Sequence, residues 1–209
     1  MKQKYIINLG RELGSGGRVI GEIVARELAI EFYDKRLIKL AAEQSGISAE
    51  IFEQADETER KRGLSALVSY LKSPFAQSEI SNHDVLSSEA LFAIQSDVIR
   101  DVASRGSALF VGRCADYVLR DYPQSVNIFI TADKRDRLRR LIDIHNISEI
   151  EAEEMIRRGD ESRSQYYNYY GTGRWGYAAS YDLCINSSIL GLECTAELIV
   201  DFVRRRVAK

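Results

Sequence analysis

The feature that most constrains the fold is a glycine-rich segment, Gly10 to Arg18, between an apolar run and a helical pattern. The run Tyr5 to Leu9 predicts a buried strand, and apolar residues at helical spacing predict a helix from about Arg18 to Leu28. A strand that ends in glycines and continues as a helix presents backbone N–H groups and the positive helix end to an anion. The segment therefore predicts a phosphate-binding loop at the edge of a sheet.

The end of this loop differs from the usual nucleoside triphosphate loop, in which Gly-Lys is followed by Ser or Thr. Either Gly17 or Arg18 stands in place of the lysine, and Val19 falls where the magnesium-ligating hydroxyl is expected. We expect Arg18 to reach the β- and γ-phosphates from the helix start, and a magnesium ion to rely on Ser15 or on water. No residue is assigned as a dedicated metal ligand. The predicted phosphate cradle consists of Gly14, Ser15, Gly16, Gly17 and Arg18.

Two other interpretations of the glycines remain open. They form a tight turn without a ligand, or they bind a nicotinamide dinucleotide with Asp34 on the ribose. The spacing of Gly10, Gly14 and Gly16 matches that of short-chain dehydrogenases. However, none of the 11 tyrosines has the lysine four residues on that their catalytic pair requires. A nucleoside triphosphate loop therefore agrees best with the sequence.

The rest of the sequence alternates between strand and helix patterns. Further strands are predicted near residues 30–33, 108–111, 126–130 and 182–185, and helices near 35–44, 89–105, 133–145, 148–158 and 193–207. This order predicts an α/β fold with a parallel sheet of about five strands and helices on both faces. We expect one domain over residues 1–209, with a mobile helical acceptor-binding insert at 47–88 and a lid-like region at 133–175.

Charged residues follow the predicted strands, where ligands of parallel sheets bind. Arg113 follows the buried strand at 108–111, and Asp116 comes three residues later. Arg157, Asp160 and Arg163 are spaced by three, so they lie along one helix face, where Asp160 can orient both arginines toward a phosphate. A solvated charged face is the alternative for this group.

The tyrosine-rich segment at 166–175 ends in Arg174 and Trp175. Packing against the core or a contact with a second copy of the chain is favoured over base stacking.

Bulk properties restrict partners and location. The net charge of −2 argues against nucleic-acid binding and against attraction to a membrane surface. The sequence has no apolar signal region and no apolar run of about twenty residues, which argues against a membrane protein. The 3 cysteines show no CxxC spacing. We expect a cytoplasmic protein whose partner is a small molecule, with a homodimer as one arrangement.

Several motifs together resemble the cytidylate kinase-like family, within the P-loop nucleoside monophosphate kinases, over nearly the whole chain. These motifs are Gly14-Ser15-Gly16-Gly17-Arg18-x-Ile20-Gly21, Phe32-Tyr33-Asp34-Lys35, Val111-Gly112-Arg113-Cys114-Ala115-Asp116, Phe129-Ile130-x-Ala132, Asp160-x-x-Arg163, Trp175-Gly176 and Tyr181-Asp182-Leu183. The resemblance implies a three-layer P-loop fold. It also implies a kinase activity that transfers the γ-phosphate of ATP, with Mg²⁺, to CMP, dCMP or a related small acceptor.

The resemblance also implies roles for individual residues. The glycine loop would hold the ATP phosphates, while Asp34 and Arg36 would border the monophosphate entrance. Arg113 would meet the acceptor phosphate or base, and Asp160 with Arg163 its sugar and phosphate region. Where the family has an arginine four residues before Asp160, this chain has Ile156 with Arg157 beside it. The catalytic candidates are Arg18, Arg113, Asp160 and Arg163, and the acceptor-binding candidates are Asp34, Arg36, Arg113, Asp116 and Arg157. The alternative function is a nucleotide- or phosphate-binding regulatory protein without kinase turnover.

Overall fold

The computed structural model describes residues 4–34, 37, 39–41, 43, 46 and 88–208. The predicted insert at 47–88, except for Ser88, and the candidate Arg36 lie outside the described residues.

Five parallel strands form one sheet in the order β2-β3-β1-β4-β5. They are β1 (Ile6–Arg11), β2 (Glu31–Tyr33), β3 (Ala108–Val111), β4 (Ser125–Thr131) and β5 (Leu183–Asn186). This confirms the predicted parallel sheet of about five strands. In the dinucleotide fold the second strand lies beside the first, whereas here β3 lies between them. The topology therefore differs from that of a nicotinamide-binding protein.

Helices connect these strands. In the described part of the chain they are α1 (Gly17–Leu28), α2 (Ser88–Arg105), α3 (Ala115–Val118), α4 (Lys134–His145), α5 (Glu149–Tyr170) and α6 (Ser187–Val207), with a 3-10 turn at Ala178–Ser180.

The central strands β1 and β3 have buried residues on both faces of the sheet, because successive side chains point to opposite sides. Ile6 and Phe110 belong to a core cluster with residues of α2, whereas Ile7 and Leu109 belong to a second cluster with α1 and α6. These residues are all fully buried. Helices therefore cover the two faces of the sheet in three layers.

Two helices differ from their predicted lengths. The Ser148–Glu151 capping box that opens α5 is confirmed, but the helix continues to Tyr170 instead of ending near residue 158. Gly159 lies inside this helix, and its lack of a side chain makes room for Leu13, since a β-carbon at position 159 would lie 2.8 Å from Leu13 Cδ2. Helix α6 begins six residues earlier than predicted, and Gly191, at φ 76° and ψ 176°, interrupts its regular periodicity.

Candidate functional site

The glycine loop leads from the carboxyl end of β1 into α1. Gly14 and Gly16 have left-handed φ values of 77° and 78°, which only glycine adopts readily. Helix α1 begins at Gly17, and no side chain caps its Gly16 N-terminus. Its first turn contains no acidic residue. The loop ends at Gly16, which favours the register in which Gly17 stands in place of the lysine.

The Ser15 side chain is directed into the loop itself. Its hydroxyl donates to the carbonyl of Glu12 at 2.8 Å and accepts from the N–H of Gly17 at 3.3 Å. The Ser15 carbonyl accepts from Ser187 at 2.7 Å, and both serines are fully buried. The expectation that the Ser15 hydroxyl ligates magnesium is therefore not met by this geometry, because the hydroxyl is used to shape the loop.

A buried ion-pair network fixes the first half of the loop to the α4–α5 hairpin. Arg137 Nε donates to the carbonyl of Leu13 at 2.7 Å, and its Nη1 lies 3.2 Å from Glu12 Oε2. Its Nη2 pairs with Asp160, whose other oxygen accepts from the N–H of Leu13 at 2.7 Å. Arg140 adds a bond to the carbonyl of Gly14 at 3.1 Å. The hairpin therefore fixes the shape of the loop.

This network corrects the predicted arrangement of Asp160. Asp160 contacts Arg137 and the loop backbone, and Arg163 Nη1 lies 4.0 Å from it. Arg157 instead pairs with Glu154 at 2.6 Å and Glu161 at 3.2 Å, and its side chain is exposed. The reason is that both Asp160 oxygens are engaged by Arg137 and the N–H of Leu13, whereas Glu154 and Glu161 lie within helical spacing of Arg157 on the exposed side of α5.

Two arginines flank Asp34 beside the start of α1. Arg18 Nε lies 3.3 Å from Asp34 Oδ2, and Arg11 Nη2 lies 3.9 Å from Asp34 Oδ1. Arg18 also pairs with Glu22 at 3.2 Å, and 60% of its side chain is exposed. The Arg11 side chain is 20% exposed and lies deeper. Arg18 is therefore placed at the rim of the site, and Arg11 at its floor.

A cavity of about 560 Å³ opens at the carboxyl ends of β1 and β3. Four arginines and one carboxyl line it; these are Arg11, Arg113, Arg158, Arg163 and Asp116. The chain reaches it through three successive left-handed residues, namely Gly112 at φ 71°, Arg113 at 66° and Cys114 at 51°. Such backbone costs about 1–3 kcal/mol per non-glycine residue and persists where the surrounding structure holds it, commonly at binding sites.

Aromatic rings form another wall of the cavity, and they are Tyr166, Tyr167, Trp175 and Tyr181. Tyr167 donates to Asp116 Oδ2 at 2.6 Å. Burial raises the pKa of the Asp116 carboxyl, and the hydrogen bond from Tyr167 partly opposes that rise. Burial, with the Asp116 charge, raises the pKa of Tyr167, and burial raises that of Tyr181 to about 12. Both tyrosines therefore keep their protons at neutral pH and remain hydrogen-bond donors.

The structure brings together part of the predicted set. Arg113, Asp116 and Arg163 line the cavity. Arg18 and Asp34 lie at the helix start, and Arg157 lies apart from both groups.

Three arginines that line the cavity or contact the loop were not among the predicted site residues. Arg11 and Arg158 line the cavity, and Arg137 holds the loop. The position of Arg11 directly after an apolar strand was the available signal. Arg137 and Arg158 stand in basic runs that resemble solvated helix faces, and nothing in the sequence separates them from their neighbours.

Comparisons with known proteins agree on the fold. The chain is similar to a crystal structure of an uncharacterized protein from Eubacterium ventriosum, with a TM-score of 0.71 and 24% identity over 96% of this chain and 99% of that one. Shikimate kinase from Bacteroides thetaiotaomicron has a TM-score of 0.55 and 13% identity, covering 97% and 99% of the two chains. Shikimate kinase from Acinetobacter baumannii, in complex with shikimate, has a TM-score of 0.53 and 13% identity, covering 100% and 97%. At these identities the likeness shows the fold.

A search of curated proteins returned no significant match. Within the described residues, no helix has the length and apolar character needed to span a bilayer. The sequence model of the cytidylate kinase-like family matches residues 6–189, which confirms the resemblance seen in the motifs. Because that match spans most of the sequence, the chain belongs to the cytidylate kinase-like family and has its kinase-like P-loop fold.

Proposed function

We propose that the protein transfers the γ-phosphate of ATP, with Mg²⁺, to CMP, dCMP or a related small phosphate acceptor. The observation that carries this proposal is the position of the open α1 N-terminus beside an arginine-lined cavity. A phosphoryl-transfer site needs both an anion cradle for the donor and cations around the acceptor. Both occur at the carboxyl edge of the same sheet, where ligands of such sheets bind.

The donor side fits a triphosphate. Helix α1 starts with glycine at its cap and without a side-chain cap, so its first N–H groups are suited to an anion. Arg18 stands at this start, and Gly14 and Gly16 give the loop its left-handed turns. The loop from Gly14 to Arg18 would hold the phosphates, with Arg18 contributing charge from the rim.

Few residues of the site could ligate magnesium. Mg²⁺ in kinase sites is usually held by one or two carboxylates together with phosphates and water. Asp34 is a carboxylate beside the helix start, but Arg18 and Arg11 flank its two oxygens, and the Ser15 hydroxyl is bonded within the loop. Among the described residues, no group of three or more His, Cys, Asp and Glu could hold a metal by itself. The ion would enter with the nucleotide and neutralise its phosphates.

The acceptor side combines charge and aromatic surface. Arg113, Arg158 and Arg163 would bind the acceptor phosphate. The aromatic wall offers ring faces for a base. Asp116 carries a carboxyl oxygen, the group that accepts a hydrogen bond from the exocyclic amine of cytosine. Because Arg36 is expected at the monophosphate entrance, it would complete this side.

The reaction would be a direct displacement. An oxygen of the acceptor phosphate forms a bond to the γ-phosphorus, and the bond from that phosphorus to the bridging oxygen of ADP breaks. The electron pair leaves with ADP, so a monophosphate and ATP become a diphosphate and ADP. Arg113 and Arg163 would stabilise the charge on the transferring group. Asp160 would act as a positioning residue, because it holds the N–H of Leu13 and the Arg137 guanidinium.

The test is a coupled assay of ADP release with ATP, Mg²⁺ and a panel of nucleoside monophosphates. We expect turnover that is highest with CMP or dCMP and falls at least tenfold in Arg113→Ala. ATP binding without turnover on any acceptor would instead favour the regulatory protein without kinase activity. A chain that binds no ATP would contradict both.

A further inference from the structure

The base of the Arg11 side chain lies where the β-carbon of a lysine at position 17 would be. A β-carbon added at Gly17 would lie 2.7 Å from Arg11 Cβ and 3.1 Å from Arg11 Cγ. Carbon atoms do not approach so closely without displacement. Gly17 therefore lacks a side chain for a physical reason, since the arginine stem fills that space.

The far end of Arg11 reaches the neighbouring strand. A β-carbon added at Gly112 would lie 2.2 Å from Arg11 Nη1. Gly112 follows β3, and its N–H bonds to the carbonyl of Leu9 on β1 at 2.9 Å. The guanidinium thus lies at the joined carboxyl ends of β1 and β3, between the start of α1 and the cavity.

Two neighbouring residues hold Arg11 in this position. Asp34 Oδ1 lies 3.9 Å from its Nη2, and Arg163 donates to its backbone carbonyl at 3.4 Å. Its side chain is still 20% exposed and lines the cavity. Arg11 therefore places a cation at the point where the donor and acceptor phosphates would meet.

We infer that Arg11 supplies the positive charge that the loop lysine supplies in other P-loop proteins, delivered from the end of β1 under Gly17. This inference rests on the proposed function, because it assigns a role to Arg11 at the β- and γ-phosphates of bound ATP. It also explains the glycine at position 17 by the same contact. Arg18 then serves the rim, and the missing lysine is replaced by a residue six positions earlier.

The experiment measures ATP and AMP affinity by calorimetry in three variants. Arg11→Met keeps the stem and removes the charge. Gly17→Lys adds a side chain against that stem. The exchange variant Arg11→Gly with Gly17→Lys moves the cation to the usual lysine position. Arg26→Met is the matched control, because Arg26 lies on α1 and its side chain is 72% exposed.

We expect Arg11→Met to weaken ATP binding about 10- to 100-fold, the range for losing one hydrogen bond to a charged group. Its affinity for AMP should stay within about twofold, because AMP lacks the β- and γ-phosphates. Its unliganded melting temperature should fall slightly below that of the control, because Asp34, which is 12% exposed, loses one of its two cations. Gly17→Lys should melt earlier. The exchange variant should recover ATP affinity to within about tenfold of wild type.

Equal ATP affinity in wild type and Arg11→Met would overturn the inference and leave the proposed function intact. A wild type that binds no ATP would overturn both. Equal losses for ATP and AMP would overturn the inference as well, because they mark a structural role. Should Arg11→Met fail to fold, the exchange variant decides, and a folded exchange variant without ATP binding would contradict the inference.

Discussion

The Arg137 network makes a quantitative prediction about stability. The Arg137 side chain is 9% exposed and pairs with Glu12 and Asp160, which are 22% and 18% exposed. Arg137→Met keeps most of the stem but leaves two largely buried carboxylates without their cation. Removing one partner of a fully buried pair costs about 3–5 kcal/mol.

Two features reduce that figure here. The carboxylates retain some exposure, and each keeps another donor, the N–H of Leu13 for Asp160 and the hydroxyl of Thr131 for Glu12. We therefore expect Arg137→Met to lower the unfolding free energy by about 2–4 kcal/mol. For a chain of this length that corresponds to a fall in Tm of about 4–16 °C.

Urea unfolding followed by circular dichroism measures this change. Arg139→Met is the matched control, since Arg139 lies on the same helix, is 69% exposed and pairs with Asp136 on the surface. The control should stay within about 0.5 kcal/mol of wild type. A loss of that small size in Arg137→Met would refute the argument that this network fixes the loop.

Further predictions concern the loop, the cavity and pH. Gly16→Ala should cost about 1–2 kcal/mol in urea unfolding because its φ of 78° is left-handed, whereas Gly106→Ala, with open space around it, should change little. Burial raises the pKa of Asp116 in the folded state above its ordinary value of 3.8. The Asp116 carboxyl therefore contributes most to the free energy of unfolding below pH 3.8, and this contribution is lost as the pH rises through the folded-state pKa. Asp116→Asn, which stays neutral, should therefore gain stability relative to wild type from acid to neutral pH, and denaturant titrations that give a constant difference would contradict this. Arg113→Ala should raise the KM for the monophosphate about tenfold and that for ATP less than about twofold in steady-state assays, and equal changes would argue against an acceptor-side role.

The centre of the sheet was predictable because β1, β3 and β4 are short apolar runs that are mostly buried. The segments at 108–111 and 126–130 read directly from the sequence, and the glycines after β1 marked the loop. The full length of α5 was not predictable. Gly159 suggests a helix end in the sequence, whereas in the fold it makes room for Leu13, a residue far away in the sequence.

Site residues were predictable only where their place in the sequence, directly after a strand, puts them in the site. Arg113 and Asp116 follow a strand end, so they were found. The role of Arg137 depends on Asp160, 23 residues away, and on the loop backbone, none of which periodicity reveals. Arg11 was missed because its path is set by two positions without side chains, Gly17 and Gly112, which became informative only once the strands were placed together.

The most direct test of phosphoryl transfer follows the γ-phosphate itself. Purified protein is incubated with ATP labelled at the γ-phosphate, Mg²⁺ and CMP or dCMP, and the products are separated by thin-layer chromatography. We expect the label to appear in the corresponding diphosphate, at a rate that falls at least tenfold in Arg113→Ala. ATP that binds while its label stays in ATP, or passes only to inorganic phosphate, with every monophosphate tested would contradict it.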